Sequence, residues 1–242
     1  MLRMDNLIQN VRKKSVNNEQ PVVTLFWWSI HLYEAPEFSM LTLEALEGFI
    51  ELTKELEHVQ FIIKPKPTHL RRTKSLVRES RLHKTRSTEL PKTGDRQLVI
   101  EDIINGIVPD WKKGGNLTIE PWLDVHDAIL RSNVVCGFQS TTLFEAGLAG
   151  KPVVVPYFSE FSRTTDGAKY PFQEFLDAFD VADNKKEFKE LIRHRLADSN
   201  IDPITQERRN HYFSTYVSDL DGQSVLKTEK LIVDLLENGG AS

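Results

Sequence analysis

The sequence holds a single cysteine, Cys136, among 242 residues. One thiol excludes an intrachain disulfide framework and a cysteine-built zinc site, and it suits a reducing compartment. No apolar run reaches the length that crosses a bilayer, and residues 1–20 are polar and charged where a signal peptide would be apolar. A cytoplasmic protein is the expectation. An excess of positive charge is also missing. The 31 Lys and Arg face 35 Asp and Glu, a net charge of −4, so no nucleic-acid partner is expected. No histidine and carboxylate cluster has metal-ligand spacing, so no protein-bound metal is expected. Internal repeats, low-complexity blocks, a nucleophile elbow and a Ser-His-Asp order are absent as well. What is present is 40% hydrophobic and 27% charged residues, enough for a folded core in a soluble chain.

Hydrophobic period and turn residues divide the chain. Residues 1–20 read as a short helix and polar linker, 21–237 as the folded domain, and 238–242 as a tail. Strands are predicted over 22–28, 59–63, 117–119, 134–136 and 153–155. Helices are predicted over 39–56 with Ser39 as N-cap, 71–82, 97–107, 141–149, 171–178, 185–197, 203–216 and 224–236, with Asp124 capping a further one through Leu130. Residues 157–170 read as a loop, of which 159–170 could cover a site or be ordinary surface. This β-α alternation followed by helices predicts an α/β fold with a doubly wound, Rossmann-like parallel sheet and C-terminal helices. Ligands of such sheets bind where the strand order reverses, beyond the carboxyl ends of the strands. With the usual order, the loop after Trp28 (Ser29, Ile30, His31) faces the turn after the strand at 134–136.

The most informative segment is 133–156, NVVCGFQSTTLFEAGLAGKPVVVP. It reads as strand, turn, helix, strand. The turn Gly137, Phe138, Gln139, Ser140 opens a helix whose first amides lack intrahelical acceptors and attract phosphate. Ser140, Thr141 and Thr142 add three hydroxyls, and Glu145 lies one turn on, within reach of a sugar hydroxyl. Thr142 and Glu145 also fit a capping box, which alone would account for both. His31 is the weak catalytic candidate, by its place after the first strand.

Ten Lys and Arg fall between Lys64 and Lys92, opposed only by Glu79 and Glu89. A solvated helical face is the default for such a run. An anionic membrane surface met through residues 64–92 is a second reading, which would hold the protein peripherally at the inner face of the membrane. Lys64 and Lys66 stand apart, at the carboxyl end of a buried strand, where a lysine is a point charge suited to a diphosphate.

Three blocks in order carry a resemblance: Phe61-Ile-Ile-Lys-Pro-Lys-Pro67, then Gly137 through Val153, then Asp221-Gly-Gln-Ser224 ahead of the last helix. Together they resemble the C-terminal, donor-binding half of GT-B glycosyltransferases. The likeness is nearest to bacterial surface-polysaccharide enzymes of the CDP-glycerol glycerophosphotransferase kind. The resemblance implies that Gly137, Gln139, Ser140, Thr141 and Thr142 hold a donor diphosphate with Lys64 and Lys66, and that Glu145 meets a ribose or sugar hydroxyl. It places Glu120 and Trp122 beside the base. Lys66 stands where that group has a histidine; lysine supplies charge but is a poor proton shuttle near neutral pH.

The resemblance implies a transferase that moves a sugar or polyol-phosphate from a UDP- or CDP-linked donor to a surface-polymer or lipid-linked acceptor. No tightly bound cofactor is implied, although a divalent metal could bridge the diphosphate. An N-terminal GT-B domain or partner subunit is expected to complete the enzyme and supply its base. Two other readings stay open: a UDP-N-acetylglucosamine 2-epimerase-like enzyme, and a non-catalytic nucleotide-binding or scaffolding module.

Overall fold

The structure, a computed structural model, describes residues 2–13, 20–28, 36–66, 104–106, 109, 111, 115–138, 140–165, 167 and 173–239. Among these residues six strands form one parallel sheet: β1 (Val22–Phe26), β2 (Gln60–Lys64), β3 (Leu117–Ile119), β4 (Val134–Gly137), β5 (Val153–Pro156) and β6 (Asp180–Ala182). Their order is β3-β2-β1-β4-β5-β6, with every pairing parallel. This is the doubly wound, Rossmann-like order, and its reversal lies between β1 and β4. Phe26 at the end of β1 sits in register with Gly137 at the end of β4 and with Lys64 at the end of β2.

The central strands are buried along their whole length, as their largely apolar sequences require, and the one polar residue of β1, Thr24, accepts from the Ser132 hydroxyl at 2.7 Å. The edge strands β3 and β6 have three residues each, short enough to blunt an exposed edge. β6 was not foreseen. Asp180, Val181 and Ala182 show no alternation, and only Ala182 is fully buried.

The helices in chain order are α1 (Leu2–Lys13), α2 (Pro36–Glu55), α3 (Val125–Arg131), α4 (Thr141–Leu148), α5 (Ser159–Ser162), α6 (Lys185–Ala197), α7 (Pro203–Tyr216) and α8 (Ser224–Gly239), with a 3-10 turn at Gln173–Ala178. Ser39 does not cap α2. The helix begins earlier at Pro36, whose fixed φ suits a first turn, and Ser39 is buried inside it. The short α5 replaces part of the loop expected over 157–170. The basic helix at 71–82 lies outside the described residues. Of the helix at 97–107, residues 104–106 are helical and Ile104 is buried.

α2 and α6 pack side by side on one face. A ladder of charge links them: Lys185 Nζ lies 3.0 Å from Glu47 and 3.1 Å from Glu51, and Lys189 Nζ lies 2.7 Å from both Glu51 and Glu55. Arg193 continues the ladder to Glu55. On the other face α7 crosses α4 through Arg209, which is 3% exposed. Arg209 Nε donates to the Ala178 carbonyl at 2.7 Å and Nη1 to the Lys151 carbonyl at 3.0 Å. Its burial pulls the guanidinium pKa down to about 10. The N-terminal helix α1 is also docked. Asp5 is buried, and its carboxylate accepts from the backbone N–H groups of Ser224 (3.1 Å) and Val225 (2.9 Å), capping α8 from a distant part of the chain. Among the described residues, no helix is long and apolar enough to cross a membrane.

Candidate functional site

The region beyond the carboxyl ends of β1 and β4 has an aromatic floor. Trp27 and Trp28 follow β1, both buried, with rings stacked 5.7 Å apart. Trp28 meets Phe138, the first residue after β4, at 5.5 Å. Phe138 in turn packs on Phe38 at 5.6 Å and Phe161 at 5.7 Å. The segment leaving β1 and the turn leaving β4 therefore touch, as the strand order predicts. Trp28 Nε1 donates to Thr42 Oγ1 at 3.0 Å, and that hydroxyl donates to the Phe38 carbonyl at 2.8 Å, so the floor is anchored to α2.

Gly137 makes this close approach possible. A methyl group there would lie 3.0 Å from Leu143 Cδ2 and 3.5 Å from Phe26 Cβ. The glycine lets α4 settle on the sheet, an ordinary packing reason for its presence. Lys151, later in the same block, also has a structural task. Its Nζ donates to the Leu130 carbonyl at 3.0 Å, at the C-terminal end of α3, and its burial lowers its pKa. Gly150 ends α4 with φ +68°, in the left-handed region that glycine enters without strain.

The first turn of α4 differs from the capping box read in the sequence. The N-cap is Ser140, two residues before Thr142; its Oγ accepts from the Thr142 N–H at 3.3 Å. Ser140 is half-buried, Thr141 is exposed and Thr142 is buried. No acidic side chain lies in this first turn. The positive end of the helix therefore keeps its field toward the carboxyl end of the sheet, with the Ser140 and Thr141 hydroxyls beside it.

Glu145, expected to reach a sugar hydroxyl, is instead 1% exposed. Its Oε2 lies 3.0 Å from His126 Nε2 on α3, and that histidine is buried as well. Sequence reasoning left His126 out of the site. His126 stands in the first turn of α3 and Glu145 in the second turn of α4, but nothing in their separation announces that their side chains converge.

Lys64 is buried at the end of β2, with Nζ donating to the Pro121 carbonyl at 3.2 Å. It thus braces the loop bearing Glu120 and Trp122. Lys66 is exposed. Glu120 is exposed, and Trp122 is 80% exposed with its ring in solvent. The structure brings Gly137, Ser140, Thr141 and Thr142 together at one end of α4 and puts Lys64, Glu120 and Trp122 together across the β2 and β3 ends. His31 and Gln139 lie outside the described residues. Among the described residues, no group of three or more His, Cys, Asp or Glu side chains gathers as a metal site.

No protein-family model matches the chain, and none of the curated proteins matches it. Solved structures are similar over nearly its whole length. The wall teichoic acid polymerase TagF is 13% identical, with 100% of this chain aligned to 52% of that one and a TM-score of 0.48. A UDP-N-acetylglucosamine 2-epimerase is 17% identical, with 100% of this chain aligned to 51% of that one and a TM-score of 0.47. The UDP-GlcNAc 2-epimerase from Neisseria meningitidis, solved with UDP-GlcNAc bound, is 12% identical over 98% of this chain and 49% of that one, with a TM-score of 0.43. The chain spans about half the length of these structures.

Proposed function

We propose that this chain is the donor-binding domain of a transferase that moves a sugar or polyol-phosphate from a nucleotide-diphosphate to a surface-polymer or lipid-linked acceptor. One observation carries the reading. The N-terminus of α4, capped by Ser140 and free of acidic residues in its first turn, opens at the point where the sheet order reverses. The likeness of the sequence blocks around Lys64 and Gly137 to those of GT-B donor domains supports the polymer and lipid-linked part of the proposal.

In this reading the α4 amides and the Ser140 and Thr141 hydroxyls hold the donor diphosphate. When the transferred group departs, negative charge grows on the leaving diphosphate. Fixed donors at a helix N-terminus stabilise that charge with no reorganisation. Lys66, exposed beside the carboxyl edge, is the cation placed to follow it, while Lys64 keeps its bond to Pro121. The exposed Trp122 ring offers a stacking face for a pyrimidine. A complementary domain brings the acceptor and the base.

Binding of CDP and UDP, followed by calorimetry with the wild-type chain and a Ser140→Ala/Thr141→Ala double variant, tests the proposal. Micromolar or tighter binding that weakens at least about tenfold in the folded variant supports it. Equal affinity for the two proteins would remove α4 from the site.

A further inference from the structure

Six of the ten large apolar side chains exposed among the described residues lie on one element, α8. Leu226, Leu231, Ile232, Val233, Leu235 and Leu236 are 43–74% exposed. With about 3.6 residues per turn, Leu231, Leu235, Ile232 and Leu236 form one continuous stripe, while Lys230 and Asp234 fall on the other side of the helix. The first turn of α8 is firmly held. Asp5 caps it, the Ser218 and Ser224 hydroxyls lie 2.6 Å apart, and Lys227 Nζ lies 2.7 Å from both Asp219 and Asp221. Beyond that turn, residues 229–236 are all exposed. Helices of this length are marginal in water on their own, and most gain their stability by packing an apolar face. The stripe therefore calls for a cover.

Area and charge choose that cover. The six side chains leave roughly 600 Å² in water, the upper end of the largest patch on a typical monomer and close to the about 800 Å² that each partner gives to a standard interface. A helix that lies on an anionic bilayer is rich in Lys and Arg along its polar face. In α8, Lys227 and Lys230 are outnumbered by Glu229, Asp234 and Glu237, and Lys227 is already paired within the chain. An anionic membrane gains no charge attraction from it. An apolar stripe, by contrast, is complementary to itself, and a two-fold contact uses the same patch on both subunits. We propose that α8 is a homodimer interface, in which the stripe of Leu231, Ile232, Leu235 and Leu236 packs against the same stripe of a second copy of this chain. The pairing does not depend on the donor-binding reading.

Sedimentation velocity of the whole chain at micromolar concentration tests the proposal. The wild type is expected to sediment as a dimer. The Ile232→Lys/Leu236→Lys variant places charge on the stripe and is expected to sediment as a monomer, with its folding confirmed by thermal melting. Should that variant fail to fold, Ile232→Cys decides the matter. Cys136 is buried, so the introduced thiol is the reactive one, and mild oxidation is expected to join two chains covalently. Lys230→Cys, on the other side of the helix, is expected to cross-link far less. A wild-type chain that stays monomeric overturns the proposal and leaves the stripe to another occupant, a bilayer or a complementary domain. A folded Ile232→Lys/Leu236→Lys variant that stays dimeric, or equal cross-linking by Ile232→Cys and Lys230→Cys, overturns it as well.

Discussion

Replacing Ser140 with aspartate separates two roles that alanine would confound. Ser140 is the N-cap of α4, with its Oγ on the Thr142 N–H at 3.3 Å, and it is also the proposed phosphate ligand. Alanine removes both functions and costs about 1 kcal/mol of stability through the lost cap. Aspartate caps as well as serine does and adds a favourable charge at the positive helix end. Stability is therefore expected to stay within about 0.5 kcal/mol of wild type or to rise. Binding of an anion is affected in the opposite sense. A carboxylate about 4 Å from a phosphate, at an effective dielectric near 20 for a half-buried site, repels it by about 4 kcal/mol per charge pair. Screening by salt reduces this, so about 2 to 4 kcal/mol is the working range, or roughly 30- to 1,000-fold in Kd. Thermal melting and calorimetric titration with CDP on one preparation read both effects. A Ser140→Asp protein that melts like wild type and binds CDP within about threefold would refute the phosphate assignment and leave Ser140 as a helix cap alone.

Other positions give independent checks. Gly137→Ala drives a methyl group against Leu143 Cδ2 at 3.0 Å, and a loss of about 1–3 kcal/mol in denaturant unfolding is expected. Arg209→Ala removes donors from the Ala178 and Lys151 carbonyls and is expected to cost about 3–5 kcal/mol, with Arg209→Met restoring packing but not those bonds. Hydrogen bonds from Lys189 hold the Glu51 and Glu55 carboxyl groups below their usual pKa. A lowered folded pKa means the α2–α6 ladder stabilises above the ordinary carboxyl range near pH 4.5 and loses that contribution as pH falls through the folded values. Melting temperature should therefore drop on acidification, less steeply in a Glu51→Gln/Glu55→Gln variant. Burial pushes the Cys136 thiol well above its usual pKa, so a thiol reagent should label the protein only after unfolding.

The fold was legible because its signals are local. The buried strands of the sheet centre are apolar runs, and α6 and α7 begin and end at Lys185–Ala197 and Pro203–Tyr216 as their caps indicate. Asn184 and Asp202 accept from backbone N–H groups three residues on, the pattern that N-cap residues signal in sequence. The boundaries that slipped are those where two starts compete. Pro36 and Ser39 both open a helix, and Ser140 and Thr142 are both acceptable caps. β6 was missed because an edge strand of three residues with a polar start carries no period.

The site was legible only as far as chain order could carry it. Topology places the α4 N-terminus at the strand reversal, and that follows from the βαβ pattern alone. Side-chain direction does not. Glu145 turns inward to His126, and Lys64 turns to Pro121, because each is decided by what packs beside it. Asp5 capping α8 from the other end of the chain is invisible to any local rule.

The central claim is that the end of α4 grips a diphosphate. Its most direct test is a calorimetric titration of the wild-type chain with CDP and UDP beside CMP and UMP at fixed ionic strength. The account predicts a single saturable site, tighter for the diphosphates than for the monophosphates, with a matching rise in melting temperature. Absence of binding by any of the four, or equal affinity for CMP and CDP, would contradict it.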